Sequence, residues 1–281
     1  MKNDIPSRTA LMTALARARH QSDDPVVFRD PFAVAMLGTF MDAPTDDGEA
    51  ATRHMVSGAG RGAVVARSAV AEAEMALAFD AGVRQFVVLG AGLDTTALRH
   101  PDRAVYEVDH PSTQPWKFRS LQALGRGLPG NAVYVAGDLE REALIPLLRE
   151  HGFDAGQPAF FTALGLSMYM SPARTEGLLE AIAVLPRRSG IVLDYLYQPR
   201  PWAIGHRLML ALLKRRFARL GEPWIGFHDP GRLETHARAL GFHAIRNHSR
   251  RELNHTLFES RGSALSIKGE RLGGVLVARL A

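Results

Sequence analysis

In FVVLGAGLDT, Phe86 to Thr95, four apolar residues run into a Gly-Ala-Gly turn followed by an acid and a hydroxyl. A strand, a glycine turn and a helix start in that order bring bare backbone up to a ligand, because Gly90 and Gly92 carry no Cβ to hold it off. Asp109 follows 19 positions after Gly90, at the end of the next apolar run. That is the distance at which an acid accepts hydrogen bonds from a ribose diol. Asp138 ends the run after that, where a carboxylate or a neighbouring amide can read an adenine edge.

Two adenosyl ligands compete for this pattern. A nicotinamide dinucleotide needs G-x-G-x-x-G to cradle its pyrophosphate, and the third position here is Thr95. S-adenosylmethionine has no phosphate. It needs a close glycine turn, a ribose acid and a partner for its amino-acid end, and the sequence offers that set. Taken singly, each of these residues reads equally well as an ordinary strand–helix turn or a helix cap.

The elements that must position these groups alternate. Apolar runs at Phe86–Leu89, Ala104–Val108, Ala132–Val135, Ala159–Thr162, Ile191–Leu193, Phe242–Arg246 and Gly274–Leu280 read as seven strands. Helical stretches separate them. Glu140–His151 ends at Gly152, Ser171-Pro172 opens a helix to Leu185, and Asp229-Pro230 opens one ending at Gly241. This predicts an α/β fold with a doubly wound, mostly parallel seven-stranded sheet. Ahead of it, residues 8–20 and a short helix after Asp30-Pro31 predict an N-terminal helical cap over 1–63. Met41 to Gly62 reads as a polar loop able to close as a lid. Ala66 to Phe79 reads as an amphipathic helix with Ala66, Val70, Ala73 and Leu77 on its buried face. The ligand-binding domain is then 64–281, with a substrate-side insertion at about 195–230.

Composition narrows the class. A chain of 281 residues that is 46% hydrophobic supports a large core, and the lack of cysteine excludes disulfides and thiolate metal sites. Nothing calls for a metal. No apolar run approaches the roughly 20 residues needed to span a bilayer, and the N-terminus lacks a signal-peptide core. A soluble, cytoplasmic protein with no membrane partner is the expectation. The net charge is +5, from 34 basic against 29 acidic residues, with the basic side chains scattered. That pattern suits a solvated surface or an anionic small molecule and gives no reason to expect nucleic acid.

The chain resembles the leucine carboxyl methyltransferase-like family of S-adenosylmethionine-dependent methyltransferases, including the branch associated with polyketide O-methylation. The likeness is carried by SRTALMTALARAR, DPFA, ARSAVAE, VVLGAGLDTTALR, YEVDHPSTQPWK, GDL, SMYM and VLDY, spread over nearly the whole chain. It implies the class I, Rossmann-like methyltransferase fold with S-adenosylmethionine as cofactor. Arg67 then corresponds to the arginine that pairs with the cofactor's carboxylate, and Gly90 to the glycine packed on its methionine portion. Asp109 corresponds to the ribose acid, and Asp138 with Leu139 to the adenine-reading pair. Arg19, or with looser spacing Arg17, corresponds to a basic N-terminal residue that reaches the cofactor. One departure stands out. Where the family carries a glutamate before the Met-Tyr pair, this chain has Leu164.

The expected activity is O-methylation of a small, polyketide-like acceptor, acidic or phenolic, with a carboxylate slightly preferred. Methyl transfer from a sulfonium asks the protein chiefly for alignment. A carboxylate acceptor needs no base, whereas a phenol with a pKa near 10 benefits from one. Arg17, Arg19 and Arg200 are candidates to hold an acidic acceptor. Tyr169, His206 and His228 are the catalytic candidates, and Tyr195, Trp202 and Trp224 candidate walls of the acceptor pocket. Each of these also reads as surface or packing. Because of Leu164, a cofactor-binding protein that does not methylate is the alternative reading.

Overall fold

The apolar run at the glycine turn forms β1, Gln85–Leu89, and its residues are buried on both faces of a sheet. Successive side chains of a strand point to opposite sides. Val87 and Leu89 therefore join one apolar cluster and Phe86 and Val88 the other, so the core is divided in two by the sheet. In this computed structural model the described residues are 7–37, 58–125, 127–200, 202–219 and 221–281.

Seven strands make one sheet: β1, β2 (Ala104–Asp109), β3 (Ala132–Ala136), β4 (Ala159–Ala163), β5 (Gly190–Leu196), β6 (Phe242–Ser249) and β7 (Gly273–Leu280). Their order across it is β3-β2-β1-β4-β5-β7-β6. The first five run parallel, and β7 lies antiparallel between β5 and β6. Strand order reverses between β1 and β4. In an open α/β sheet that reversal leaves a crevice beyond the carboxyl ends of the two strands.

Among the described residues α-helices frame the sheet or approach its carboxyl edge: α1 (Arg8–His20), α2 (Ala33–Met36), α3 (Gly58–Asp80), α4 (Thr96–Arg99), α5 (Gln114–Ala123), α6 (Leu144–Arg149), α7 (Pro172–Ala183), α8 (Ile204–Arg219), α9 (Pro230–Ala239) and α10 (Arg250–Leu253). Ser7, Ser171, Asp229 and Ser249 cap α1, α7, α9 and α10 by accepting an orphan amide hydrogen in the first turn.

Three local expectations are corrected. The buried face of α3 is Val65, Ala66, Val70, Ala71, Met75 and Ala78, while Ala73 and Leu77 face solvent. The helix packs on α1 and on β4 and β5, and exposed Ala73 and Leu77 point away from both. The expected polar loop falls largely outside the described residues, and its last part, 58–62, is the opening of α3. The helix expected from Glu140 begins at Leu144. Asp138 accepts from the Glu140 amide at 3.0 Å and its own amide donates to Glu142 at 2.6 Å, a side-chain turn that competes with helix. Pro146 then falls among the first-turn positions that need no N–H partner.

Candidate active site

Beyond the carboxyl ends of β1, β2, β4 and β5 lies a cavity of about 1100 Å³. Gly90 and Gly92 form its floor at φ +66° and +50°, a region in which side chains are strained. The Gly90 and Ala91 amides donate to Val108 O at 2.8 and 3.2 Å, stitching the turn to β2. Asp109 completes the turn by accepting from Gly92 N at 2.5 Å and His110 N at 2.7 Å. Burial pushes its pKa up, opposed by those two amides and by Lys117. Asp138 and Leu139 follow β3 along the same wall, with the Leu139 carbonyl held by the Arg174 guanidinium at 2.7 and 3.0 Å.

At the other end of the turn, Arg67 of α3 pairs with Asp194 of β5 at 2.7 Å. The second oxygen of Asp194 accepts from Gly165 N at 2.5 Å. Gly165 sits at φ +73°, and a Cβ there would lie 2.7 Å from the Arg67 guanidinium, so glycine lets the arginine lie flat on the backbone. Arg250 of α10 lines the same corner, donating to Lys268 O at 2.7 Å. Burial pulls its pKa down to about 10, with Asp194 and Tyr197 opposing and Arg67 adding to the fall. Two arginines against one aspartate leave this corner with one positive charge in excess.

The far end of the cavity is apolar, walled by Met168, Met209, Leu213, Phe217 and Trp224. Phe217 and Trp224 stack at 4.2 Å. The polar groups here are Thr9, Tyr169 and Glu222: Thr9 Oγ1 donates to Glu222 Oε2, and Trp224 Nε1 donates to Tyr169 OH at 3.3 Å. Burial, with Glu222 adding to it, pushes Tyr169 up to about 12, so its phenol stays protonated at neutral pH.

The structure thus brings Arg67, Gly90, Asp109, Asp138, Leu139, Arg17, Tyr169, Tyr195, Trp224 and Leu164 onto one cavity. It does not bring the other candidates there. Arg19 faces solvent, because 100° per residue turns it away when Arg17 points inward. Arg17 itself is bound to Asp30 at 3.2 Å and to Leu93 O at 2.6 Å. His206 faces Arg271, and burial with that cation lowers its pKa. His228 lies buried in a bridge to Tyr197 beside a separate cavity of about 430 Å³, its pKa lowered by burial. Trp202 and Arg200 are exposed, with the guanidinium 5.6 Å over the indole ring. The Tyr195 hydroxyl is turned away, donating to Asn247 at 2.7 Å.

Sequence reasoning missed Asp194, Arg250, Glu222 and Thr9. Asp194 was findable, because an acid at the carboxyl end of a strand next to the switch point faces the crevice. Glu222 follows α8 in an irregular stretch and carried no signal. Among the described residues no group of three or more His, Asp or Glu side chains could hold a metal ion, and no helix is long and apolar enough to cross a membrane.

Comparisons with known proteins agree with this architecture. A Bacillus subtilis protein, YktD, is 27% identical over 95% of this chain and 96% of its own length. A Mycobacteroides abscessus protein is 37% identical over 62% of this chain and 59% of its own. Both carry the name "Putative S-adenosyl-L-methionine-dependent methyltransferase". Among solved structures, one from Thermobifida fusca aligns over 95% of this chain and 94% of its own with a TM-score of 0.55 at 19% identity. A DUF574-family protein of Streptomyces avermitilis aligns over 95% and 97%, with a TM-score of 0.54 at 18% identity. The model of the leucine carboxyl methyltransferase family matches residues 10–183. The chain belongs to that family.

Proposed function

We propose that the protein is an S-adenosylmethionine-dependent O-methyltransferase whose acceptor is a small, largely apolar, polyketide-like molecule methylated on a hydroxyl. The family and the named relatives make S-adenosylmethionine the methyl donor. The residues present suit it. The excess positive charge of Arg67, Asp194 and Arg250 calls for one anionic group, which the cofactor's carboxylate is. Gly90 leaves room for its methionine chain, Asp109 suits a ribose diol, and Asp138 with Leu139 borders the place for adenine. When bound, the cofactor supplies a methyl group activated by a sulfonium.

The observation that carries the hydroxyl reading is Glu222 at the apolar end. An acidic acceptor would have to be drawn past a carboxylate, while the arginines expected to hold it are bound by Asp30 or face outward. Glu222, oriented by Thr9, suits the role of taking the proton of an acceptor hydroxyl. Tyr169 stays neutral and shapes the wall. Phe217 and Trp224 offer flat apolar surface to an aromatic acceptor and keep water out. The supporting experiment is turnover of labelled cofactor with a panel of phenols and aromatic acids. Turnover of phenols supports the reading, turnover of acids alone overturns the hydroxyl assignment, and silence across the panel counts against methyl transfer. Glu222→Gln is expected to lower kcat by about 10²–10⁴-fold with the calorimetric Kd for S-adenosylmethionine nearly unchanged.

Leu164 supports the second reading, a scaffold that binds cofactor without methylating. It is half-buried against the cluster containing Val88 and Val275, at the edge of the cavity. Asp194 offers a carboxylate in the same corner, so the cofactor's amino group is not left without an acceptor by the leucine. On this account Leu164→Glu crowds a second carboxylate into the corner and weakens cofactor binding about tenfold by calorimetry. A gain of activity in that variant would instead favour the scaffold reading.

A further inference from the structure

Helix α8 has two unlike sides. Its inner side, Met209, Leu213 and Phe217, lines the cavity. On its outer side Ile204, Leu208 and Leu212 stand four residues apart in one row and are 75%, 63% and 59% exposed, with Trp202, just ahead of the helix, 73% exposed. A row of exposed aliphatic side chains on a helix marks a surface meant to be covered. The same segment carries its own indication of what covers it. From Arg200 to Arg219 there are six Lys or Arg residues and no Asp or Glu. Lys214, Arg215 and Arg219 are exposed around the end of the apolar row.

We propose that this face of α8 lies on an anionic lipid surface, with the apolar row and Trp202 in the headgroup–acyl boundary and the basic side chains on lipid phosphates. An apolar strip flanked by Lys and Arg and ending in Trp is the chemistry of an interfacial helix. The helix rests on the bilayer and does not cross it, and on this proposal the expectation of no membrane partner gives way to one at the surface. A second copy fits poorly as the occupant. A two-fold interface would set the same patch against itself and bring two strongly cationic segments together. A neutral bilayer would have only the short apolar row to hold it. Each basic residue near an anionic surface adds about 1 kcal/mol, roughly a fivefold gain in affinity. This inference does not rest on methyl transfer, and its test needs neither cofactor nor acceptor.

The test is sedimentation of the full chain with vesicles of phosphatidylcholine alone or mixed with phosphatidylglycerol, beside analytical ultracentrifugation without lipid. The expected result is binding to the anionic vesicles only, weakened by salt, with Trp202 emission shifting to the blue. Leu208→Ser with Leu212→Ser should lower that binding at least tenfold, and Lys214→Glu with Arg215→Glu should do the same. Both pairs are at exposed positions, so circular dichroism should match the parent. No binding to either vesicle overturns the proposal, as does equal binding to both, or binding indifferent to both variant pairs. A dimer in solution that the leucine variants dissociate would assign the face to a second copy and likewise overturn it.

Discussion

Gly90→Val is expected to raise the Kd for S-adenosylmethionine at least about 100-fold, near 3 kcal/mol, in a protein that still folds. Two effects combine. The φ of +66° strains any side chain, and a Cβ there would lie 3.1 Å from Cδ1 of Leu166, which lines the same cavity. A β-branched residue in that region costs about 1–3 kcal/mol by itself. Gly125 separates the two. Its φ is +64°, and a Cβ added there meets nothing within 4 Å. Gly125→Val should therefore show the stability loss without the loss of binding. Calorimetry for affinity and thermal melts for stability, on both variants, check the prediction. Equal affinity loss in the two would mean that the floor of the cavity does not touch the cofactor.

Asp194→Ala is expected to cost about 3 kcal/mol of stability, roughly 6 °C in Tm, because it leaves Arg67 and Arg250 facing each other without their shared counter-charge. Arg67 and Asp194 side chains are only 12% and 13% exposed, so solvent screens the loss weakly. A ligand carboxylate can take the aspartate's place. S-adenosylhomocysteine should therefore restore more of the lost Tm than 5′-methylthioadenosine, which has the same adenosyl portion and no carboxylate. If the two ligands raise the Tm of the variant equally, the arginine corner is not where the amino-acid end binds. Asp194→Asn keeps the acceptor for Gly165 N and loses the charge, and should fall between parent and alanine variant.

The sheet was legible because each strand is a short apolar run closed by a turn residue, and because acids at the ends of β2 and β3 share a face with the glycine turn. That Gly90, Asp109, Asp138 and Leu139 line one cavity was legible for the same reason, since sequence spacing along parallel strands translates directly into position at their carboxyl edge. Asp194 was overlooked although it obeys the same rule. The apolar end of the cavity was not legible. Its residues come from α1, the end of β4, α8 and the stretch after it, and no periodic relation links Thr9 to Glu222. Composition could not tell which histidine faces the cavity, and neither His206 nor His228 does. The α3 face was misjudged because periodicity marks a stripe without saying how many partners press on it. Here the partners are α1 and the strands β4 and β5, and the face that they bury runs through Ala71, Met75 and Ala78 and leaves out Ala73 and Leu77.

The placement of β7 sets an order of events in folding. β5, which carries Asp194, pairs on its outer side only with residues 273–280, and β6 pairs with the same segment. A chain that has formed the first six strands therefore holds β5 with a bare hydrogen-bonding edge and β6 with no neighbouring strand. The anionic half of the arginine corner gains its final support only when the last strand slides between them. Until residues 273–280 are in place that edge of β5 stands open, and competence to bind cofactor is expected to follow the docking of β7.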